Sequence, residues 1–178
     1  MNSKLVPNPN DGLDGPAVGH RKRGTSGAAV EASTSTRPTP SGPTVGQRMA
    51  RQRTRDTGPE VALRQEMHRR GMRYRLSWPV PGAKRRTIDV ALPGRCVAVF
   101  IDGCFWHGCP VHATWPRANA EWWAQKIRRN CERDLETDRL LADQGWRVVR
   151  IWEHEAVTDA VDRIEDCLRE LRTSEVER

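Results

Sequence analysis

The sequence contains no apolar run approaching the roughly 20 residues that a membrane-spanning helix needs. No signal peptide is visible at its start, so the protein is expected in the cytoplasm, without a membrane partner. Its first 47 residues hold six of the twelve prolines and no aromatic side chain. Such a stretch cannot bury enough apolar surface to offset the entropy of ordering, so 1–47 is expected to be a disordered tail without chemistry. The cysteines number five, an odd set of which two, Cys104 and Cys109, flank a histidine-rich loop, which fits metal ligation better than a secreted disulfide frame. Acid is in deficit: 30 Lys+Arg against 23 Asp+Glu leave a charge of +7, which favours a polyanionic partner. Beyond the tail the chain is long enough for one ordinary domain, expected over 48–178.

What is present centres on Cys96–His112. The run from Cys96 to Ile101 reads as a buried strand, being short, continuous and partly β-branched. It empties into Asp102, Cys104, His107, Cys109 and His112, with Phe105 and Trp106 between them. Thr87 to Leu92 reads as a preceding strand, with Asp89 alone among apolar neighbours and Pro93-Gly94 as the turn. A carboxylate in such a place needs a partner cation or donors; a salt bridge to a nearby arginine and a divalent metal both qualify. With a tight two-residue turn Asp89 pairs opposite Ala98 and shares a face with Asp102. A loop one residue longer turns Asp102 away.

Asp56 and Thr57 are N-caps, Pro59 suits a first turn and Gly71 a stop, so 58–70 reads as a helix burying Leu63 and Met67. The helix dipole is a sufficient structural reason for Glu60 in its first turn. Four arginines in 48–55 form either a solvated lead-in or, with 48–57 as an arm, a DNA-backbone contact. Met72, Tyr74 and Leu76 alternate as a half-exposed strand, Pro79, Pro81 and Gly82 make a loop, and Lys84-Arg85-Arg86 forms a basic edge. A long helix is expected from about Asn119 to Gln144, opening on Glu121-Trp122-Trp123 and closed by Gly145. Trp146 to Trp152 is a last strand, and Thr158 caps a final helix with Val161, Ile164, Leu168 and Leu171 inward. Helix, three strands, helix, strand, helix makes a mixed α/β domain, its sheet flanked by helices.

Cys104-x4-Cys109-x2-His112 supplies three zinc ligands within nine residues, and tetrahedral zinc needs a fourth. His154, just past the last strand, is the favoured candidate, with Cys131 and His107 as alternatives. A closed four-ligand site of this kind shapes a loop and does no chemistry itself.

Several segments in order, Thr54-Arg-Asp-Thr57, Asp89, Phe100-Ile-Asp-Gly-Cys-Phe-Trp-His107, Lys126-Ile-x-x-Asn-x-Glu-Arg-Asp134 and Gly145-Trp-Arg-Val-x-x-x-Trp-Glu153, resemble the very short patch repair (Vsr-type) DNA mismatch endonucleases. The resemblance covers roughly 48–157. It implies a restriction-endonuclease-like fold and Mg²⁺-dependent nicking of the thymine strand at T:G mispairs left by deamination of 5-methylcytosine. It also implies a monomer acting on double-stranded DNA at the nucleoid, linked in function to a cytosine-5 DNA methyltransferase. By position, Asp89 resembles the Mg²⁺-binding carboxylate and the backbone near Ile101 a second contact. His107 resembles the general base or water-orienting group, and Glu60 an acid that hydrogen-bonds water on the metal. Asp102 stands where the best-known member has a histidine, to bind metal or position water. Cys104, Cys109, His112 and His154 fall at the zinc ligands. Phe105, Trp106 and Trp123 match side chains that wedge beside the mismatch, and Met49 matches an arm residue inserted from the other groove. Taken alone, those aromatics read as core. Wedging selects mismatches because a mispaired step costs less to unstack. Two rivals remain: a non-catalytic zinc-stabilised DNA-binding module, and a restriction-type nuclease on the same fold that cuts matched duplex.

Overall fold

The computed structural model describes residues 55–114 and 116–176. The expected tail, Met49 and the arm as far as Thr54 lie outside the described residues. Among the described residues the order is α1 (Gly58–Arg69), β1 (Arg75–Val80), β2 (Ala83–Leu92), a single 3₁₀ turn (Pro93–Arg95), β3 (Val97–Asp102), α2 (Ala120–Asp143), β4 (Arg147–Trp152) and α3 (Val157–Val176). The four strands form one mixed sheet in the order β1-β2-β3-β4. The first two pairings are antiparallel; β4 joins β3 in parallel, which requires the crossover that α2 provides.

Alternation along the strands divides the core into two layers. Val97 and Val99 of β3 and Val149 and Ile151 of β4 pack against Leu63 and Met67 of α1 and Val161 and Ile164 of α3. Ala98 and Phe100 face the other way and join Ile88, Val80 and Leu141 of α2. The sheet is therefore covered on both faces, as the apolar run 96–101 requires.

Several expectations about local structure need correction. The β2–β3 connection is neither of the two loops anticipated. Leu92 pairs with Val97, so the loop spans 93–96, with the 3₁₀ turn followed by Cys96 at φ +49°. Relative to a two-residue turn the register moves by two positions, and a two-residue shift leaves each side chain on its original face. Pro79, assigned to a loop, lies within β1, an edge strand where a missing donor is tolerated. Thr158 does not cap the last helix, which has already begun at Val157; the Ala160 N–H donates to the Ala156 carbonyl (3.0 Å).

Candidate active site

Asp89 sits where the side-chain alternation of β2 breaks. Ile88 and Ala91 belong to the α2-side layer, whereas Val90 and Leu92 belong to the opposite one. Across the hairpin, Ser77 lies between the Leu76↔Val90 and Trp78↔Ile88 pairs with φ +48°, a left-handed residue opposite Asp89. The β2–β3 ladder ends at Val90↔Val99. Beyond it the Ile101 N–H donates to Asp89 Oδ2 (3.0 Å), so the carboxylate joins the strands where the backbone no longer does. Burial pushes the Asp89 pKa up to about 6; the Ile101 N–H opposes this, while the charges of Glu60 and Asp102 reinforce it.

Glu60 lines the same cleft, whose volume is about 330 Å³. Both of its oxygens accept local hydrogen bonds, Oε2 from the Asp56 N–H (2.9 Å) and Oε1 from the Thr57 hydroxyl (3.0 Å). This resembles a capping box, so the helix-terminus role assigned from sequence and a place in the cleft coexist in one side chain.

His107 faces α2. Its Nδ1 lies 2.6 Å from Asp134 Oδ2 and 3.5 Å from Asp102 Oδ1, and among the described residues no hydrogen bond is seen at Nε2. Burial disfavours the imidazolium, but the Asp134 hydrogen bond and the nearby carboxylates outweigh it, and the pKa rises above the ordinary histidine value. Asp102, expected to bind metal or position water, accepts from Arg150 Nη1 with both oxygens (2.8 and 2.9 Å). Burial still raises its pKa, against the pull of Arg150 and His107.

Asp134 stood in the sequence only as the end of a family motif, with no role attached, and Arg150 was not picked out at all. Neither adjoins the central stretch in the chain; only the packing of α2 and β4 brings them there. The available signal was Asn130, Asp134 and Asp138 at helical four-residue spacing in a segment otherwise burying Ile127, Cys131 and Leu141. Asn130 donates to the Trp106 carbonyl (2.9 Å), and the Cys131 thiol lies 3.5 Å from the His107 carbonyl. Cys131 therefore packs against the loop and is no part of the thiol–imidazole cluster.

That cluster brings Cys104, Cys109, His112 and His154 together, their ligand atoms all within 4.8 Å of one another. Cys104 Sγ is 3.0 Å from His154 Nδ1; Cys109 Sγ is 3.8 and 3.9 Å from the Nδ1 atoms of His154 and His112. Bond lengths of about 2.0–2.3 Å in a zinc tetrahedron put ligand atoms about 3.3–3.8 Å apart. Two thiols and two imidazoles at this spacing fit zinc. Burial, with Cys109 and Glu153 close by, pushes the Cys104 thiol up to about 12, a crowding of potential charge that a cation reverses. The Cys104 N–H donates to Glu153 Oε1 (2.7 Å), fixing the loop against the end of β4.

Phe105, Trp106 and Trp123 form a half-buried cluster separate from both core layers. Phe105 lies 5.1 Å from Trp106 and 5.2 Å from Trp123, both edge-on, and Trp122 packs 4.7 Å from Trp123. The all-core reading of these aromatics does not describe them.

Residues 44–112 match the family model described as DNA mismatch endonuclease Vsr. The chain is 44% identical over 126 residues to the type II nicking enzyme V.NaeI of Lentzea aerocolonigenes, an alignment covering 69% of this chain and 75% of that protein. Against the type II nicking enzyme V.XorIIP of Xanthomonas oryzae pv. oryzae the identity is 37%, covering 60% and 77%. Against the DNA mismatch endonuclease Vsr of Escherichia coli it is 34%, covering 56% and 63%.

Proposed function

The chain belongs to the Vsr family of DNA mismatch endonucleases, and from that premise we propose that it nicks the thymine-containing strand of T:G mispairs with Mg²⁺. The observation that carries this reading is the meeting of Asp89, the Ile101 backbone, Glu60 and His107 around one cleft. The residues fit a hard cation, since Asp89 commits one oxygen to the Ile101 N–H and retains another for a ligand. Asp89 and the Ile101 backbone would hold Mg²⁺, which when bound supplies charge stabilisation for the phosphate and the leaving 3′-oxygen.

His107 is the group that moves or orients a proton. Asp134 fixes its Nδ1, so Nε2 is presented for the attacking water. Glu60, held by Asp56 and Thr57, orients water from the other side of the cleft. Asp102 holds Arg150 and faces His107, and it is not assigned to the metal. Cys104, Cys109, His112 and His154 would hold a structural zinc that fixes the loop carrying His107. Phe105, Trp106 and Trp123 wedge into the base stack, where a mispaired step yields at lower cost. Arg85 and Arg133 also line the cleft, and no side-chain ion pair is seen for either among the described residues, which suits phosphate contacts.

In this reading the fold is restriction-endonuclease-like, and one domain spans 48–178 behind the tail 1–47. Its arm, 48–57 with Met49, approaches DNA from the opposite groove. The enzyme acts as a monomer on nucleoid DNA in the cytoplasm, serving sites that a cytosine-5 methyltransferase modifies.

The test is incubation of T:G and matched T:A duplexes with Mg²⁺. Wild type should nick one strand of the T:G duplex only. His107→Ala should lose about 10²–10⁴-fold in rate, the span typical of a positioned acid or base, and Asp89→Ala should be inactive. Equal cutting of both duplexes, or undiminished cutting by Asp89→Ala, would overturn the assignment.

A further inference from the structure

Arg150 has no part in the reaction as described, yet it sits among three carboxylates of the described residues. Its side chain is 13% exposed. Nη1 donates to both oxygens of Asp102 (2.8 and 2.9 Å), and Nε and Nη2 each lie 3.0 Å from an oxygen of Asp138. Nη2 is 3.6 Å from Asp134 Oδ1, and the guanidinium carbon stands 4.8 Å from the Phe100 ring centre. One cation thus spans three carboxylates.

Beside it, Asp102, His107 and Asp134 bring ligand atoms within 4.8 Å of one another, a set that a divalent ion could use. Those donors are already engaged. Asp102 has given both oxygens to Arg150, and His107 Nδ1 is joined to Asp134. A divalent ion needs oxygens directed at it within about 2.0–2.6 Å, and a guanidinium fixed on the same oxygens both blocks and repels it.

We propose that Arg150 is a built-in cation filling the place of a second divalent ion, so that the cleft takes a single Mg²⁺ at Asp89. Arg150 is a positioning residue: it acts through Asp102 and Asp134, which in turn bracket His107. The inference rests on the reading of Asp89 as the metal carboxylate.

The experiment counts Mn²⁺ bound to the zinc-loaded full chain at pH 8 by electron paramagnetic resonance. Wild type should bind one Mn²⁺. Asp102→Asn should keep it, with an affinity change far smaller than the loss in Asp89→Asn, because Asp102 acts on Asp89 only through its charge whereas Asp89→Asn removes the ligand. Arg150→Met should gain a second ion, and Arg150→Lys should not. A purely structural arginine would not create a metal site when removed. Two ions in the wild type, an Asp102→Asn loss matching that of Asp89→Asn, or a folded Arg150→Met protein with one ion would each overturn the proposal and leave the nuclease reading standing. If Arg150→Met fails to fold, Arg150→Gln is counted in its place: a second ion supports the proposal and a single ion overturns it. Absence of any Mn²⁺ dependent on Asp89 would overturn the metal reading and this inference with it.

Discussion

Asp89 carries a charge that the fold makes costly. Its pKa lies near 3.8 in an unfolded chain and about 6 in place. Because the folded state holds the proton more tightly, stability from this group falls as pH rises from about 4 to about 6. At about 1.4 kcal/mol per unit the penalty above pH 6 is about 3 kcal/mol. Asp89→Asn should therefore stabilise the Mg²⁺-free protein by roughly 2–3 kcal/mol at pH 8 and hardly at all below pH 4, as read by urea melts. An equal gain at both pH values would mean that the buried charge is not the cause. Asp89 was legible in the sequence because an acid inside an apolar strand is conspicuous. The place of Asp134 beside His107, and Arg150 altogether, were not, because an acid on a long helix and an arginine in a strand look ordinary until they meet. Their roles lie in contacts between elements distant in the chain.

At the scale of elements, hydrophobic patterning disclosed all three helices and the chain order of the four strands, since burial on one face leaves a period and burial on two a continuous apolar run. Loop geometry was less accessible. Pro93-Gly94 signalled a turn, but the extra residues, with Cys96 in a left-handed conformation, depend on how the strands twist together. The loop after β3 shows how closely an element can be fitted. Gly108 has φ +65°, and a Cβ placed there would stand 3.2 Å from Ile127 Cγ2 on α2. Gly108→Ala meets strain from the backbone and from the neighbour together, and should cost more than about 1 kcal/mol of stability. It should also lower the nicking rate by displacing His107, with the thermal midpoint and single-turnover rate falling together. A variant as stable and as active as wild type would show that the loop yields freely.

On the scale of the whole molecule, the zinc-type cluster ties the loop after β3 to His154 beyond β4, and the same loop carries the aromatic cluster and His107. Removing bound zinc with a chelator should lower the thermal midpoint and raise hydrogen exchange across 103–114 while sparing the β1–β2 hairpin. Uniform exchange changes, or none after verified metal loss, would argue against a local clamp. Three members of the cluster were readable from spacing and His154 was favoured from its place after the last strand, but the depth of connection was not readable, because Glu153 and Asn130 fix the loop from two other elements. The parallel pairing of β3 with β4 adds a matter of timing. Hairpins close early, whereas a parallel pair must wait for its long crossover, here residues 103–146. During synthesis Asp89 emerges first, and Arg150 and His154 leave the ribosome only after the crossover is complete. A nascent chain therefore holds Asp89 well before it can assemble the groups proposed to act with it, so the cleft matures only as the last strand docks.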